Sequence, residues 1–389
     1  MQRALEGSQA IAEAVSLCRP QVVAAYPITP QTHIVENLSK LVADGVLHCE
    51  LVSVESEFSA ASVVLGAVAA GSRAYTASSS QGILLMSEVL FNIAGLRIPL
   101  VMTCANRAVS GPLSIWNDQQ DSMSVRDAGW IQIYCADNQD AVDATIQAYR
   151  ISEKCQLPVM VCVDGFTLTH TLEVLDMPTQ EQVDAFLPPF EFDRRLDPDQ
   201  PISIGTLVSP DFYTESRYSH HEALARAADL IVEAQRDWFA VSGRDAGGLL
   251  TSEGPADARI AILTIGSIAG TLQAAMEAFP DQPATRLIKL RAFRPFPAAA
   301  LREACQDLTD LIVLERALSP GAGGIVGTEV RAALTEMDNP PKVFNFSVGL
   351  GGRDVPMETY VRLHEAVRRG GGVPFEILDV VAERLPEEA

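Results

Sequence analysis

The sequence predicts an α/β protein made of two doubly wound parallel-sheet domains joined by a long connector. Short apolar runs alternate with helical segments twice along the chain, and a polar, proline-rich stretch separates the two series. Short continuous apolar runs are typical of parallel strands, since both faces of such strands are buried. With 389 residues, 48% of them hydrophobic, the chain is long enough for two or three domains with sizeable cores.

The first series occupies residues 1–172. The predicted strands are Val22–Tyr26, His48–Val52, Ala74–Ala77, Pro99–Ala105 and Val159–Asp164. The predicted helices are Thr32–Ala43, Glu57–Ala70, Gln81–Ala94 and Asp140–Lys154. In a doubly wound sheet, functional groups collect on the loops at the carboxyl ends of the strands.

Residues 173–257 form the predicted connector, with a helical pattern over Ser219–Val241 and a boundary at Gly243–Asp257. A second, smaller α/β domain follows at 258–389. Its predicted strands are Ile260–Ile265, Arg286–Leu290, Leu311–Leu314 and Lys342–Phe346, and its predicted helices are Ala269–Ala278, Pro297–Gln306, Gly324–Leu334 and Met357–Arg368.

Charge and cysteine content exclude several classes of function. The formal net charge of −21 argues against partners such as nucleic acids or anionic membrane surfaces. We find no signal peptide and no membrane span. The seven cysteines include no CxxC pair, which argues against a zinc or iron–sulfur site in this chain, and free thiols in apolar runs fit a reducing cytoplasm.

Two polar groups follow predicted strands closely. Thr29 lies in the Tyr26–Pro30 turn, whose two prolines fix the direction of its hydroxyl; a rigid turn with a capping threonine is the alternative. Glu57 opens a helix of small and apolar residues, where burial would raise the pKa of its carboxyl toward proton-transfer use. The alternative for Glu57 is simple stabilisation of the helix dipole.

Further candidates follow the next two strands. The hydroxyls and amides of Thr76–Gly82, including Ser80 and Gln81, could hold an anion or a ring at a helix N-terminus, or could only cap that helix. Arg107 offers bidentate geometry for a carboxylate. A long polar loop around Trp116 follows it, and loops of this length are more often functional than not. In the second domain, the Gly266–Gly270 turn lacks the full dinucleotide-binding fingerprint. Two further glycine turns, Gly321–Gly324 and Gly349–Gly352, are explained by close backbone approach or by domain docking.

Ten stretches carry a family resemblance: YPITPQTHIVE (26–36), VESE (54–57), SSQG (79–82), NRA (106–108), IWND (115–118), RDAGWIQ (126–132), LPVMVCVDGF (157–166), GSIAGT (266–271), KLRAFRPFP (289–297) and GLGGRD (349–354). In this order they resemble the α subunit of the 2-oxoacid:ferredoxin oxidoreductases, closest to the pyruvate type. The resemblance implies a pyrimidine-type thiamine diphosphate domain at 1–172 and a transketolase C-terminal-like domain at 258–389. It implies an enzyme that splits a 2-oxo acid into carbon dioxide and an acyl group that passes to coenzyme A.

The resemblance also assigns roles. Glu57 is expected to pair with the aminopyrimidine N1′ and so promote the imino tautomer that removes the thiazolium C2 proton. Thr29 and Arg107 are expected to hold the substrate carboxylate. Further cofactor contacts are expected from Pro27, Ile28, Ser80 and Gln81.

Partner chains are expected to complete the site. The sequence contains no GDG motif with a downstream asparagine, the usual diphosphate–magnesium signature. The resemblance therefore implies a β subunit that holds the diphosphate and Mg²⁺, together with γ and iron–sulfur δ subunits that pass electrons to ferredoxin or to an NAD-linked subunit. A non-catalytic scaffold subunit and a nonoxidative thiamine decarboxylase are the alternatives.

Three positions depart from the pyruvate-type pattern. Phe58 stands where histidine is usual, Gly111 where alanine is usual and Gln119 where histidine is usual. Phe58 and Gly111 border segments expected to line the pocket, so these changes could admit an aryl or branched 2-oxo acid such as phenylglyoxylate. Neutral drift outside the pocket is the alternative.

Overall fold

The computed structural model describes residues 2–385, and two mainly parallel sheets dominate it. The first sheet has the order β12-β6-β7-β5-β4-β2-β3, and all neighbouring pairs are parallel except β12–β6. Its strands are β2 (Val22–Ala25), β3 (Glu50–Ser53), β4 (Ala74–Ser78), β5 (Val101–Asn106), β6 (Ile131–Tyr134), β7 (Val159–Asp164) and β12 (Ala292–Arg294). The α/β class predicted from the alternating pattern is confirmed.

The second sheet has the order β15-β14-β13-β10-β11-β9, with only β9 antiparallel to its neighbour. Its strands are β9 (Leu250–Glu253), β10 (Ile260–Thr264), β11 (Thr285–Leu290), β13 (Asp310–Glu315), β14 (Lys342–Ser347) and β15 (Val373–Ile377). A separate antiparallel pair joins β1 (Gln2–Glu6) to β8 (Leu172–Asp176). The β12 strand belongs by sequence to the second series yet extends the first sheet, so the two units are interlocked.

Helices cover both sheets. Those of the first unit are α1 (Gly7–Leu17), α2 (Thr32–Ala43), α3 (Glu57–Ala69), α4 (Ser80–Leu85), α5 (Ser87–Gly95), α6 (Gln120–Ser124) and α7 (Asn138–Cys155). The connector carries α8 (Gln180–Phe186) and α9 (Pro210–Ser242), and the second unit carries α10 (Ile268–Ala278), α11 (Ala298–Ala304), α12 (Ile325–Leu334) and α13 (Glu358–Arg369). Within residues 2–385, no helix combines the length and apolar character needed to cross a bilayer.

The connector helix α9 packs against α7. Trp238 is fully buried there, and its indole nitrogen donates to the Asp143 carboxylate at 2.9 Å. The Arg244 guanidinium pairs with the same carboxylate at 2.7 Å, just after α9 ends at Gly243 in the left-handed region. This buried pair fixes the end of the long helix on the first unit. The domain boundaries at 172 and 257 stay a prediction.

Two helices differ most from their predicted extents. The predicted helix Gln81–Ala94 is divided into α4 and α5 at Met86, whose side chain is fully buried. Helix α9 begins at Pro210 rather than Ser219, and its first turns are exposed, so no apolar periodicity marks them. Proline in the first helical turn is favourable because the missing N–H has no helical partner there.

Candidate active site

The predicted site residues lie along the carboxyl edge of the first sheet. Thr29 lies in the loop after β2, Glu57 opens α3 after β3, and Arg107 directly follows β5. Ser80 opens α4 after β4, and Asp164 ends β7. Because β2, β3, β4, β5 and β7 are parallel, their carboxyl ends meet at one edge.

The Arg107 guanidinium joins two of these loops. Nη1 donates to the Thr29 carbonyl at 2.9 Å, and Nε donates to the Ser114 carbonyl at 3.1 Å. The side chain is only 7% exposed, yet it makes no ion pair with any residue in the described part of the chain. Burial lowers the pKa of Arg107, because a desolvated cation is disfavoured. The nearby Asp121 carboxylate opposes this shift, but the guanidinium itself donates only to carbonyls, which leaves it suited to an anionic ligand.

Asp121 positions the backbone around Arg107, and sequence reasoning missed it. Its carboxylate accepts hydrogen bonds from the backbone N–H groups of Ser80 (2.8 Å), Arg107 (2.9 Å) and Ser122 (2.8 Å). It also accepts one from Asn106 Nδ2 at 2.8 Å. Burial raises the pKa of Asp121, although these donors oppose the shift. An acidic residue in a run of polar residues after Trp116 was the only signal, and it resembles an ordinary helix start.

Ser80 and Gln81 lie at the same edge. Ser80 has φ of +48°, in the left-handed region that a non-glycine residue seldom adopts. Its hydroxyl donates to the Ala108 carbonyl at 2.5 Å and lies 2.6 Å from Gln81 Oε1. Such local strain is held by surrounding contacts and concentrates at functional sites.

Glu57 is a buried carboxylate, 7% exposed, at the first position of α3. The preceding Ser56 caps the helix by accepting from the Ser59 N–H. Gly82 lies directly against the Glu57 side chain: a Cβ there would lie 2.7 Å from Glu57 Oε1 and 2.3 Å from Ser78 Oγ. No hydrogen bond from a described residue reaches the Glu57 carboxylate, so it is available to a group from outside the chain.

Unpartnered polar atoms surround this carboxylate. In the described part of the chain, four buried groups between β4 and α4 have no hydrogen-bond partner: Thr76 Oγ1, Ser78 Oγ, Ser79 Oγ and Gln81 Nε2. Buried polar groups are rarely left unsatisfied, and those that are often face a ligand. Pro27 is exposed and Ile28 is half-buried, both in the loop that carries Thr29.

The second unit closes over this edge. The Gly351 N–H donates to Asp118 Oδ2 at 3.1 Å, and a Cβ at Gly352 would lie 2.4 Å from Trp116 Cβ. The IWND loop therefore packs directly on the GLGGRD turn. This contact agrees with the domain-docking interpretation of that glycine turn.

The GSIAGT turn also docks on the first unit. Asp164, at the end of β7, accepts from the Ser267 N–H at 2.8 Å and lies 2.5 Å from the Ser267 hydroxyl. Gln119 Nε2 donates to Asp164 Oδ1 at 3.1 Å, and a Cβ at Gly266 would lie 2.6 Å from that same nitrogen. Glycine is thus required by close approach between the two units rather than by a nucleotide.

The three departures from the pyruvate-type pattern occupy different environments. Gln119 is buried between the two units and contacts Asp164 and the Ile265 carbonyl. Phe58 is 39% exposed beside Glu57, and open space surrounds the position of a Cβ at Gly111. Only Phe58 and Gly111 therefore border open space at this face.

Comparison with known proteins shows the family of this chain. Residues 13–236 match the family model described as pyruvate flavodoxin/ferredoxin oxidoreductase, thiamine diphosphate-binding. Residues 258–360 match pyruvate:ferredoxin oxidoreductase core domain II. The chain belongs to the pyruvate flavodoxin/ferredoxin oxidoreductase family.

Curated relatives within this family align over most of their length. The chain is 46% identical to the pyruvate synthase subunit PorA of Methanothermobacter thermautotrophicus, over 94% of each chain. It is 43% identical to the PorA subunit of Methanosarcina barkeri, over 98% of this chain and 97% of that one. It is 39% identical to the ketoisovalerate oxidoreductase subunit VorA of Pyrococcus abyssi, over 95% and 94%. The predicted α-type subunit of a thiamine diphosphate-dependent 2-oxoacid oxidoreductase is confirmed.

Solved structures show the same fold. A 2-oxoglutarate:ferredoxin oxidoreductase from Magnetococcus marinus aligns with a TM-score of 0.69 at 21% identity, over 94% of this chain and 65% of that one. A split-gene transketolase aligns with a TM-score of 0.56 at 12% identity. At these identities the likeness concerns the fold of the family member, not its substrate.

Proposed function

We propose that this chain is the α subunit of a complex that oxidatively decarboxylates pyruvate to acetyl-coenzyme A and carbon dioxide. Arg107 carries the proposal. Its guanidinium is buried, is held by two loop carbonyls and forms no ion pair among the described residues, although the nearby Asp121 carboxylate opposes the lowering of its pKa by burial. A small 2-oxo acid supplies the missing anion, and Thr29 lies in the loop that Arg107 fixes. Charge-assisted hydrogen bonds orient such a carboxylate strongly.

The residues at the edge also fit thiamine diphosphate. Glu57 is a buried carboxylate without a partner in the described chain, and unsatisfied hydroxyl and amide groups lie beside it. We propose that Glu57 holds the aminopyrimidine ring, with Pro27, Ile28, Ser80 and Gln81 along it. When bound, the thiazolium ring supplies the nucleophilic carbon and the electron sink for decarboxylation. This chain's contribution is a buried carboxylate and a buried guanidinium at the same edge of the sheet.

Partner chains complete the proposed enzyme. Apolar side chains are exposed on the helices α3, α4 and α5 and on the loop around Trp116: Phe58, Leu84, Leu85, Phe91, Leu113, Ile115 and Trp116. Exposed apolar surface around a site is typical of a subunit interface. We propose that a β subunit covers this face and brings the diphosphate site and Mg²⁺, and that γ and δ subunits carry the iron–sulfur clusters to ferredoxin or an NAD-linked acceptor.

A reducing compartment, the cytoplasm, fits this assignment. All seven cysteines are free. Burial raises the pKa of several of these thiols, for example that of Cys155 to about 12, which keeps them protonated and unreactive.

The test is kinetic and uses the complex purified anaerobically with its native partners. Coenzyme A-dependent viologen reduction is measured with pyruvate, 2-ketoisovalerate and phenylglyoxylate. We expect the highest kcat/KM with pyruvate. The Arg107→Gln variant should lose roughly 10- to 100-fold in kcat/KM, since a hydrogen bond to a charged group contributes about 1.5–3 kcal/mol. Arg236→Gln, on an exposed face of α9, is the matched control and should retain activity.

Two results would contradict the proposal. Unchanged kinetics in Arg107→Gln would remove Arg107 from the substrate site and favour a scaffold role. Faster turnover of 2-ketoisovalerate or phenylglyoxylate would replace pyruvate with a larger acid. In that case the open surroundings of Phe58 and Gly111 become the explanation for the wider pocket.

A further inference from the structure

Three metal-ligating side chains meet on the first unit, outside the site described above. Glu6 ends β1, His33 lies in the first turn of α2, and His170 follows β7. One carboxylate oxygen of Glu6 and one ring nitrogen of each histidine all lie within 4.8 Å of one another. Two of the six histidines of the chain thus converge on one carboxylate, although they are 137 positions apart in sequence (170 − 33).

The backbone fixes this arrangement. The Gly7 N–H donates to the Thr171 carbonyl at 3.2 Å, and the Ser8 N–H donates to the Thr169 carbonyl at 2.9 Å. A Cβ at Gly7 would lie 2.2 Å from the Leu168 carbonyl oxygen, so only glycine allows this approach. The segment carrying Glu6 and the loop carrying His170 are therefore tied together on both sides of the cluster.

A hydrogen bond orients His170. Its Nδ1 lies 2.7 Å from Thr169 Oγ1, which also accepts from the Phe166 N–H at 2.8 Å. With Nδ1 engaged, Nε2 is left for another ligand. Histidines that bind metals usually have the second ring nitrogen fixed in this way by a neighbouring group.

We propose that Glu6, His33 and His170 bind a divalent first-row transition metal of the Zn²⁺ class, with a fourth position open to water. Two imidazoles and one carboxylate form a ligand set that such ions use when one position stays open. The His33 and Glu6 side chains are 43% and 30% exposed, which provides an entry path. His33 Nδ1 and Glu6 Oε1 lie 2.6 Å apart, so a metal would separate them slightly.

An ordinary ion pair is the competing explanation. It requires only Glu6 and His33, whereas the ring of His170 lies 4.4 Å from that of His33 at an interplanar angle of 34°. The second imidazole also packs on Phe166, with 4.9 Å between ring centroids, and is oriented by Thr169. Neither these contacts nor the ion pair requires a ring nitrogen of His170 to lie close to Glu6 and His33. A metal accounts for all three side chains.

The metal would stabilise the position of the loop that carries Thr29. His33 lies four positions after Thr29, and a Cβ at Gly165, on the His170 loop, would lie 2.5 Å from Pro30 Cγ. A cation at this cluster would therefore connect β1, α2 and the loop after β7 directly behind the proposed substrate loop. Binding of the ion would affect the position of this loop and is separate from the proposed chemistry.

The test measures zinc directly in the purified complex. The complex is treated with a chelator, dialysed against a Zn²⁺ series, and its zinc content per copy of this chain is determined by mass spectrometry. The variants are Glu6→Gln, His33→Gln and His170→Gln. His221→Gln is the matched control, because His221 is an exposed histidine on α9. Thermal unfolding with and without Zn²⁺ gives a second readout, and Mg²⁺ serves as the control ion.

We expect one zinc per chain in the wild-type complex and in His221→Gln, with a Zn²⁺-dependent rise in melting temperature. Each of the three ligand variants should bind that zinc at least about tenfold more weakly and lose the rise. If the wild-type complex shows no zinc above the three variants and no shift in melting temperature, the cluster is an ion pair and the proposal fails. Because the readout is zinc content, that result leaves the proposed 2-oxoacid activity untouched.

Discussion

Substitution of Gly82 by alanine should displace the Glu57 carboxylate while the rest of the fold is kept. The new Cβ would lie 2.3 Å from Ser78 Oγ, 2.7 Å from Glu57 Oε1 and 2.8 Å from Glu57 Cγ. Ordinary contact requires about 3.5 Å, so the carboxylate must move by roughly 0.8 Å. Gly82 lies in α4, where alanine is otherwise the better residue, so any loss comes from the close approach to Ser78 and Glu57.

The expected magnitudes follow from this displacement. Overpacking of this kind costs about 1–3 kcal/mol in the free energy of unfolding. A displacement near 1 Å in a catalytic group reduces turnover by about 100-fold. The matched control is Gly66→Ala in α3, the helix that begins at Glu57, where nothing lies within 4 Å of the new Cβ. That variant should keep full activity and gain about 0.5–1 kcal/mol.

A double variant separates stability from catalysis. Ser78 Oγ is buried without a hydrogen-bond partner among the described residues, so Ser78→Ala should cost little by itself. In Gly82→Ala/Ser78→Ala the closest clash is removed while the clash with Glu57 remains. Unfolding should recover in part, and coenzyme A-dependent viologen reduction should stay low. Wild-type turnover in a correctly assembled Gly82→Ala complex would refute the assignment of Glu57 to the reaction.

Three further predictions concern the contact between the two units. Burial raises the pKa of Asp118 from 3.8 to about 6, so the folded state binds this proton more tightly than the unfolded state. As the pH falls from about 6 to 4, the free energy of unfolding of the wild type should rise by roughly 2–3 kcal/mol relative to Asp118→Asn. A fall over this range, measured by thermal unfolding, would contradict the sign of the shift. Asp164→Asn should destabilise the contact with Ser267 by about 2–3 kcal/mol, and an unchanged urea midpoint would exclude Asp164 as a docking residue. Gly352 has φ of +80°, and the Cβ of Gly352→Ala would lie 2.4 Å from Trp116 Cβ. The variant should therefore alter the fluorescence of this half-exposed tryptophan and lower the activity. An unaltered spectrum would mean that the Trp116 loop moves to accept the new methyl group at no cost.

Local sequence pattern predicted most strands of the first sheet but not the edge strand β12. Helix Thr32–Ala43 and strand Val159–Asp164 have the predicted bounds, because an amphipathic period or a continuous apolar run is visible within each segment. Strand β12 could not be predicted. Its three residues pair with β6 across more than 150 positions of sequence, and such a pairing leaves no periodic signal of its own.

The residues of the candidate site likewise differ in whether a local sequence pattern predicts them. Thr29, Glu57 and Arg107 were found because each follows an apolar run directly, and the fold brings the ends of parallel strands together. Asp121 was missed because its importance comes from three-dimensional closure: it lies 41 positions from Ser80, whose N–H it accepts at 2.8 Å. The sequence shows which polar groups follow a strand. It does not show which carboxylate connects two strand ends, because that contact exists only in the folded structure.

The position of Asp121 bears on how an acidic protein could keep the proposed site for an anion. The chain carries a net charge of −21, and the buried carboxylate that binds the Arg107 backbone N–H is Asp121. That carboxylate is engaged by backbone N–H groups, including the one of Arg107 itself, and its bonds leave the guanidinium unpaired. At physiological ionic strength, charges beyond about 8 Å are largely screened. Under the proposed function, a carboxylate at contact distance would therefore respond to the Arg107 guanidinium more than to the distant acidic surface. The Asp121 carboxylate opposes, through space, the lowering of the Arg107 pKa by burial, but it accepts its hydrogen bonds from backbone N–H groups and not from the guanidinium.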